Sequence, residues 1–311
     1  MLRLLQAAFV SLCFLPSARA LQEQPMIPLD FVKAIGAEGD SLGQFHNPTS
    51  LSVDPSGNLY VADTGNNRIQ KFNSEGVFQR YIGGIGSGAE QFDSPMDVNA
   101  WDGLNVHVAD FNNHRIHRLD NKLNAISIFS GNSEQNFNLQ FSFPQSVTAT
   151  AEGDLFVLEG ENNSVLKLNP FFTLVAQFGS IETGEGYLGS PAQIEIFGRD
   201  LLAVSDVQAG HLAIFDYFGN FVRFLGNDRL SRPTGLFFWS DRNLLLVSDP
   251  GSGEIHAFTE FGWSSELRIL SKTEESAWKS PADLAVFKDR LYVLDQEQST
   301  ILVYKILAAP E

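Results

Sequence analysis

Cysteine is almost missing from this 311-residue chain, and its one thiol, Cys13, lies in an apolar stretch near the N-terminus. A single cysteine excludes an internal disulfide framework, and its position leaves no thiolate nucleophile after residue 20. Basic residues are also scarce, 21 Lys and Arg against 37 Asp and Glu, for a formal net charge of −16. Nucleic-acid affinity rests on clustered cations that displace phosphate counterions, so this balance argues against RNA, DNA and anionic lipid as partners. It is compatible with binding a divalent cation. No run of 18 or more apolar residues follows residue 20, so no membrane-spanning helix is expected there. A Gly-Xaa-Ser-Xaa-Gly elbow is lacking, and so is a phosphate-binding glycine loop that opens a helix. The stretch from Gly83 to Gly88 leads from one strand towards another.

The first twenty residues read as a signal peptide. Arg3 supplies the charged start, Leu4 to Leu15 the apolar stretch, and Ala18-Arg19-Ala20 the small-residue cleavage pattern, with cleavage near Ala20. The expected location is therefore secreted or periplasmic. Residues 21–29, containing Gln and Pro, read as a linker, residues 30–306 as one repeat domain, and 307–311 as a tail.

Six prolines set the period. Pro48, Pro95, Pro144, Pro191, Pro233 and Pro281 stand 42 to 49 residues apart, and each is followed 14 to 16 residues later by an acid: Asp63, Asp110, Glu159, Asp206, Asp249 and Asp295. In the first copy Thr49 to Asp54 alternates as a strand, and Asp54-Pro55-Ser56-Gly57-Asn58 is a hairpin turn. Leu59 to Ala62, Arg68 to Phe72 and Val77 to Ile82 follow as three more strands. Four antiparallel strands every 47 residues or so is the pattern of a propeller blade. The last copy ends after its third strand, while Asp30 to Gly36 at the other end has the character of a fourth. The expected fold is an all-β, six-bladed propeller of four-stranded antiparallel blades, the ring closed by the N-terminal strand completing the last blade.

Asn58 to Phe72, preceded by Phe45-His46-Asn47-Pro48, resembles the NHL repeat, and Val108 to Ile116 matches the same pattern. The arginine position of the first two copies, Arg68 and Arg115, becomes Ser164, His211, Glu254 and Thr300 in the others. The resemblance implies a propeller that binds other molecules. A minority of related propellers are lyases or metal-dependent hydrolases, of gluconolactonase-like or amidating-lyase type, which would use a cation in the central channel.

The six histidines fall at different repeat positions, which disfavours one shared zinc. The acids that end the second strands suit a turn device, a short carboxylate accepting backbone N–H groups. Two residues after each proline stand Ser50, Asp97, Ser146, Gln193, Gly235 and Asp283, on the strand face expected to line the channel. Among the channel carboxylates, Asp97, Glu195 and Asp283 are candidate ligands for a divalent cation such as Ca²⁺, with solvated channel polarity as the plainer alternative. The long connections between repeats carry Phe137, Phe141, Tyr187 and Trp278, and on that long-loop face they form the expected binding surface for a protein or glycan. The expected function is an exported, non-enzymatic binding or scaffold propeller.

Overall fold

The computed structural model describes residues 26–131 and 141–308. The signal-peptide reading and Phe137 fall outside these residues. Apart from three short 3-10 turns, the regular elements among them are strands. No helix there is long and apolar enough to cross a membrane.

Local chemistry sets each turn. After the strand Ser50–Val53, Asp54 Oδ1 accepts hydrogen bonds from the N–H groups of Ser56 and Asn58, both at 2.9 Å. Gly57 supplies the positive φ of 87°, and a Cβ there would lie 2.4 Å from the Phe287 ring. Asn73, Asp120, Asn169 and Asp216 do the same for the turns between third and fourth strands. A short polar side chain that binds its own turn backbone fixes each hairpin without tertiary help.

The fold is all-β and propeller-like, but six separate four-stranded blades is not its sheet arrangement. Four sheets have four antiparallel strands each, and the remaining strands form one eight-stranded sheet. The cause is the N-terminal strand, Met26–Ile35. Its second part pairs antiparallel with Thr300–Ile306, and its first part, Met26 to Leu29, pairs parallel with Gly262–Ile269. It therefore stands as the fourth strand beside Thr300–Ile306, as expected, and also bridges that set to the preceding one, so that the two form a continuous sheet. Ile27 and Leu29 are buried there, so the end of the stretch read as linker is core-forming strand.

The core is spread around the ring. Apolar clusters lie between successive sheets, such as Tyr60, Ile82, Phe92, Val98 and Val108 between the first two. The strands nearest the axis are Ser50–Val53, Pro95–Asn99, Pro144–Ala149, Pro191–Phe197, Leu236–Trp239 and Pro281–Phe287. Each touches the next and the last touches the first, which closes the ring around a central channel. The inter-repeat loops and the turns between second and third strands lie on one face, called here the long-loop face. The other two turn sets lie opposite, on the hairpin face.

Candidate functional site

A strand at the inner edge of a propeller sheet has no strand partner on its channel side, so its backbone N–H groups need other acceptors. The residue two after each proline provides them across the gap to the next repeat. Ser50 Oγ accepts from Val98 N at 3.2 Å, Asp97 Oδ2 from Val147 N at 2.8 Å, and Ser146 Oγ from Ile194 N at 3.2 Å. Gln193 Oε1 accepts from Leu236 N, and Asp283 Oδ2 from Leu51 N at 2.8 Å. Gly235 has no side chain to offer, and Leu284 N donates instead to Asp283 Oδ1 at 2.8 Å. A Cβ at Gly235 would lie 2.6 Å from that same oxygen, so the missing side chain makes room for the carboxylate that replaces it.

Asp97 and Asp283 are thus parts of a girdle that holds the inner strands together. The Ser50 and Ser146 hydroxyls donate to Asp97 at 2.6 and 2.7 Å, and Gln193 Nε2 donates to Asp283 at 3.3 Å. Burial pushes Asp97 up against these donors and pushes Asp283 up to about 8. Among the described residues no three His, Cys, Asp or Glu side chains are grouped so that they could hold a metal ion. The proposed Ca²⁺ ligands Asp97, Glu195 and Asp283 share the channel but are not assembled as a coordination site, because the first and last spend their oxygens on the girdle.

Glu195 stands two residues beyond Gln193 on the same strand, nearer the hairpin face. Burial first, then the neighbouring charges of Asp97 and Asp283, push its carboxyl up to about 8, against a backbone hydrogen bond from Phe238. The channel mouth it faces is a cavity of about 790 Å³, walled by Ile196, Phe237, Phe238, Val286 and Phe287, with Trp101 and Arg199 at the rim. The opposite mouth, over Ser50, Asp97, Gln193 and Gly235, holds about 250 Å³. The larger of these two openings is therefore on the hairpin face.

The long-loop face is largely committed to its own structure. Arg68 Nε donates to Asp63 Oδ2 at 2.6 Å, and its other nitrogens reach the carbonyls of Asp40, Ser41 and Gln44. Arg115 repeats this with Asp110, Ser87, Gly88 and Gln91. The acids also accept backbone N–H groups just before the prolines, as in His46 N to Asp63 at 2.7 Å and Ser231 N to Asp249 at 2.7 Å. Each acid thus ties its turn to the entry of its own repeat.

Of the aromatics expected to bind from that face, Phe141 is 3% exposed and packs with Ala109, Ile116 and Val147. Trp278 is 8% exposed, donates from Nε1 to Gly253 O at 2.7 Å and meets the Tyr304 ring edge-on. Both rings are therefore packing residues. Tyr187 alone of the described set is exposed. Phe45 and Phe92 are fully buried, and Phe143 packs against the Phe111 and His114 rings.

The hairpin face shows the opposite pattern. The tips of the turns between third and fourth strands carry Phe171, Phe218 and Phe261 in three consecutive repeats, exposed by 86%, 75% and 85%. Glu75 and Lys122 hold the same position in the first two. Two of these tips are braced by the preceding repeat, through Lys167 Nζ, which donates to Tyr217 O at 3.2 Å, and Arg223, which donates to Glu260 O. The recurrence of Phe one residue past Pro170, Tyr217 and Glu260 was visible in sequence as an aromatic where turn chemistry favours polar residues.

Comparison with known proteins agrees with the fold and narrows little else. The NHL repeat model matches residues 45–72. Over 49 residues, 16% of this chain and 8% of the relative, the chain is 45% identical to E3 ubiquitin-protein ligase TRIM32 of Homo sapiens. It is 39% identical over 66 residues, 21% of this chain and 7% of the relative, to the B-box type zinc finger protein ncl-1 of Caenorhabditis elegans. The match thus spans less than a tenth of either relative's length. Among solved structures, a streptogramin B lyase superposes with a TM-score of 0.60 at 14% identity, covering 89% of each chain. A catalytically inactive virginiamycin B lyase from Staphylococcus aureus with quinupristin gives 0.61 at 14% identity, covering 87% of this chain and 98% of that one. At this identity the likeness is one of fold. An NHL repeat lies at residues 45–72, on a propeller-like scaffold whose character fits protein binding.

Proposed function

We propose that this chain is a non-enzymatic binding propeller that engages a protein partner through its hairpin face. The observation that carries the reading is the arc of exposed Phe171, Phe218 and Phe261 on the face that also bears the 790 Å³ channel mouth. Exposed aromatics on braced turns offer large contact area at small ordering cost, and a neighbouring concavity receives what a flat surface cannot. The long-loop face, with Phe141 and Trp278 turned inward, has less to offer.

Export is part of the proposal, on the strength of Arg3, the apolar stretch and Ala18-Arg19-Ala20 alone. So is the exclusion of nucleic acid, which rests on the net charge of −16. Changing the three tip phenylalanines to serine together should abolish retention of the native partner on the immobilised chain while leaving the melting curve in place. Tyr187→Ala should leave retention intact. Retention that survives the triple change and fails with Tyr187→Ala would return the working surface to the long-loop face. Retention of the wild-type chain on uncharged lipid vesicles, lost in the triple variant, would replace a protein partner with a membrane.

A further inference from the structure

The hairpin-face cavity has a chemistry more specific than its size. Its deep wall carries a carboxylic acid, Glu195, whose remaining exposed surface opens onto the cavity, and its sides are the aromatic and aliphatic groups of Phe237, Phe238, Phe287, Val286 and Ile196. Asp54, Glu152 and Asp200 also line it, against one cation, Arg199. The cavity thus sets a carboxyl group in an acidic field, beside aromatic faces.

We propose that this cavity binds a primary ammonium group carried on an apolar body, with Glu195 as its counter-ion and the phenylalanine walls around the body. The inference deepens the binding reading above and rests on it for biological meaning. An ammonium brings three N–H donors and a positive charge, and aromatic faces attract the cation as well as the apolar stem. An anionic ligand would meet Glu195, with Asp97 and Asp283 behind it. A neutral apolar ligand would fill the walls and bury the acid further while adding no donor to the backbone hydrogen bond that Glu195 accepts from Phe238. A metal ion would need three converging protein ligands, and the described residues offer no such group. The raised ionisation of Glu195 has the same origin: an empty, partly desolvated cavity disfavours its charge, and a bound cation restores it. The ammonium could come from a free amine or from a lysine side chain of the protein partner, and the chemistry recognised is the same.

The test is calorimetric titration of the isolated chain with 2-phenylethylamine and with 2-phenylethanol, its neutral counterpart. Blocked Phe-Lys-Phe tripeptide and its Nε-acetyl form make the second pair. The amine should bind at least about tenfold more tightly than the alcohol, a difference of one charge-assisted contact. Glu195→Gln should bring the amine down to the alcohol's level and leave the alcohol unchanged. A tripeptide that binds while its acetylated form does not identifies lysine as the source, and binding of the free amine alone identifies a small molecule. Equal binding of amine and alcohol, no binding of either, or a preference that survives Glu195→Gln would overturn the inference. The wild-type comparison of amine with alcohol needs no variant, so a misfolded Glu195→Gln chain cannot obscure the answer. The Phe171, Phe218 and Phe261 variant should still bind the amine, so failure of the partner surface and failure of the ammonium site are distinguishable.

Discussion

The two faces of the ring are built from the same repeat and spend their polar groups differently. On the long-loop side each second-strand acid is consumed by backbone N–H groups, Arg68 and Arg115 are consumed by acids and loop carbonyls, and the loop aromatics Phe141 and Trp278 are buried. On the hairpin side the turn polar groups close their own small rings of hydrogen bonds, which leaves Phe171, Phe218 and Phe261 at the tips with little to do for the fold and Glu195 facing the cavity, tied to the next inner strand by a backbone hydrogen bond from Phe238. The comparison teaches that loop length alone does not mark the working surface. Long connections can be long because they are braces, and short turns can present a surface because they need nothing from their neighbours.

The largest way to break this contrast is at the brace. Arg68→Ala would leave Asp63 fully buried without its ion pair and free the carbonyls of Asp40, Ser41 and Gln44. Removing one partner of a buried pair costs roughly 3 to 5 kcal/mol, which for a chain of this size lowers the melting temperature by about 10 °C. Lys at the same position should recover only part, since it cannot reach an acid and three carbonyls with one planar fork. A thermal scan within 2 °C of wild type would show the brace to be dispensable.

The girdle comes next. Asp97→Ala strands the Ser50 and Ser146 hydroxyls and the Val147 N–H in a site only 4% exposed, and should cost about 3 kcal/mol by denaturant unfolding. Gly235→Ala should also destabilise, because its Cβ would press on the Asp283 carboxylate and Cα. Asp97→Ala that melts normally would return Asp97 to the role of a solvated channel acid.

Much of this architecture was legible because it is local. A proline, an Asx turn and an acid at a strand end act within a few residues of themselves, so their recurrence gave the strands and the period. What was not legible depends on neighbours. Met26 to Leu29, an apolar run interrupted by Pro28, read as linker because its parallel partner Gly262–Ile269 lies more than 200 residues away. The inward turn of Trp278 depends on Gly253 and Tyr304, which no spacing predicts. Period-two alternation marks the residues two after each proline as channel-side, but their task depends on the unpaired inner edge of each sheet. Glu195 was singled out with two girdle acids as a metal ligand. Sequence showed three acids on inner strands and could not show that each accepts a backbone N–H, Asp97 from Val147, Asp283 from Leu51 and Glu195 from Phe238.

A smaller effect sharpens the contrast inside the channel. Because Glu195 ionises near pH 8 in the folded chain and in the ordinary carboxylate range when unfolded, the folded state holds the extra proton between those limits. Stability attributable to this group is therefore fully present at acid pH and is lost as pH rises towards 8, with a slope of at most about 1.4 kcal/mol per pH unit. Asp283, also raised to about 8, slopes in the same direction, so the wild-type curve should fall from pH 5 to pH 8 for both reasons. Glu195→Gln should keep the acid-side stability and flatten part of that fall, whereas a variant that tracks wild type across the range would mean that Glu195 is ionised at neutral pH.

The smallest effects on stability should accompany the sharpest division between the faces. Tyr187 is 57% and Phe218 75% exposed, so Tyr187→Ala and Phe218→Ser should each change unfolding free energy by no more than about 0.5 kcal/mol. Their consequences for association should differ. Phe218 stands between Phe171 and Phe261 in the order of the repeats, so its loss removes the middle of the aromatic arc, and dissociation of the native partner should quicken at least about tenfold. Tyr187 lies in a long connection whose other role is structural, and dissociation should stay within a factor of two of wild type. Surface-immobilised kinetics on the two single variants decides the matter. The same acceleration from both would mean a partner that wraps the rim and touches both faces, and acceleration from Tyr187→Ala alone would place the partner where the loops, not the hairpins, do the binding.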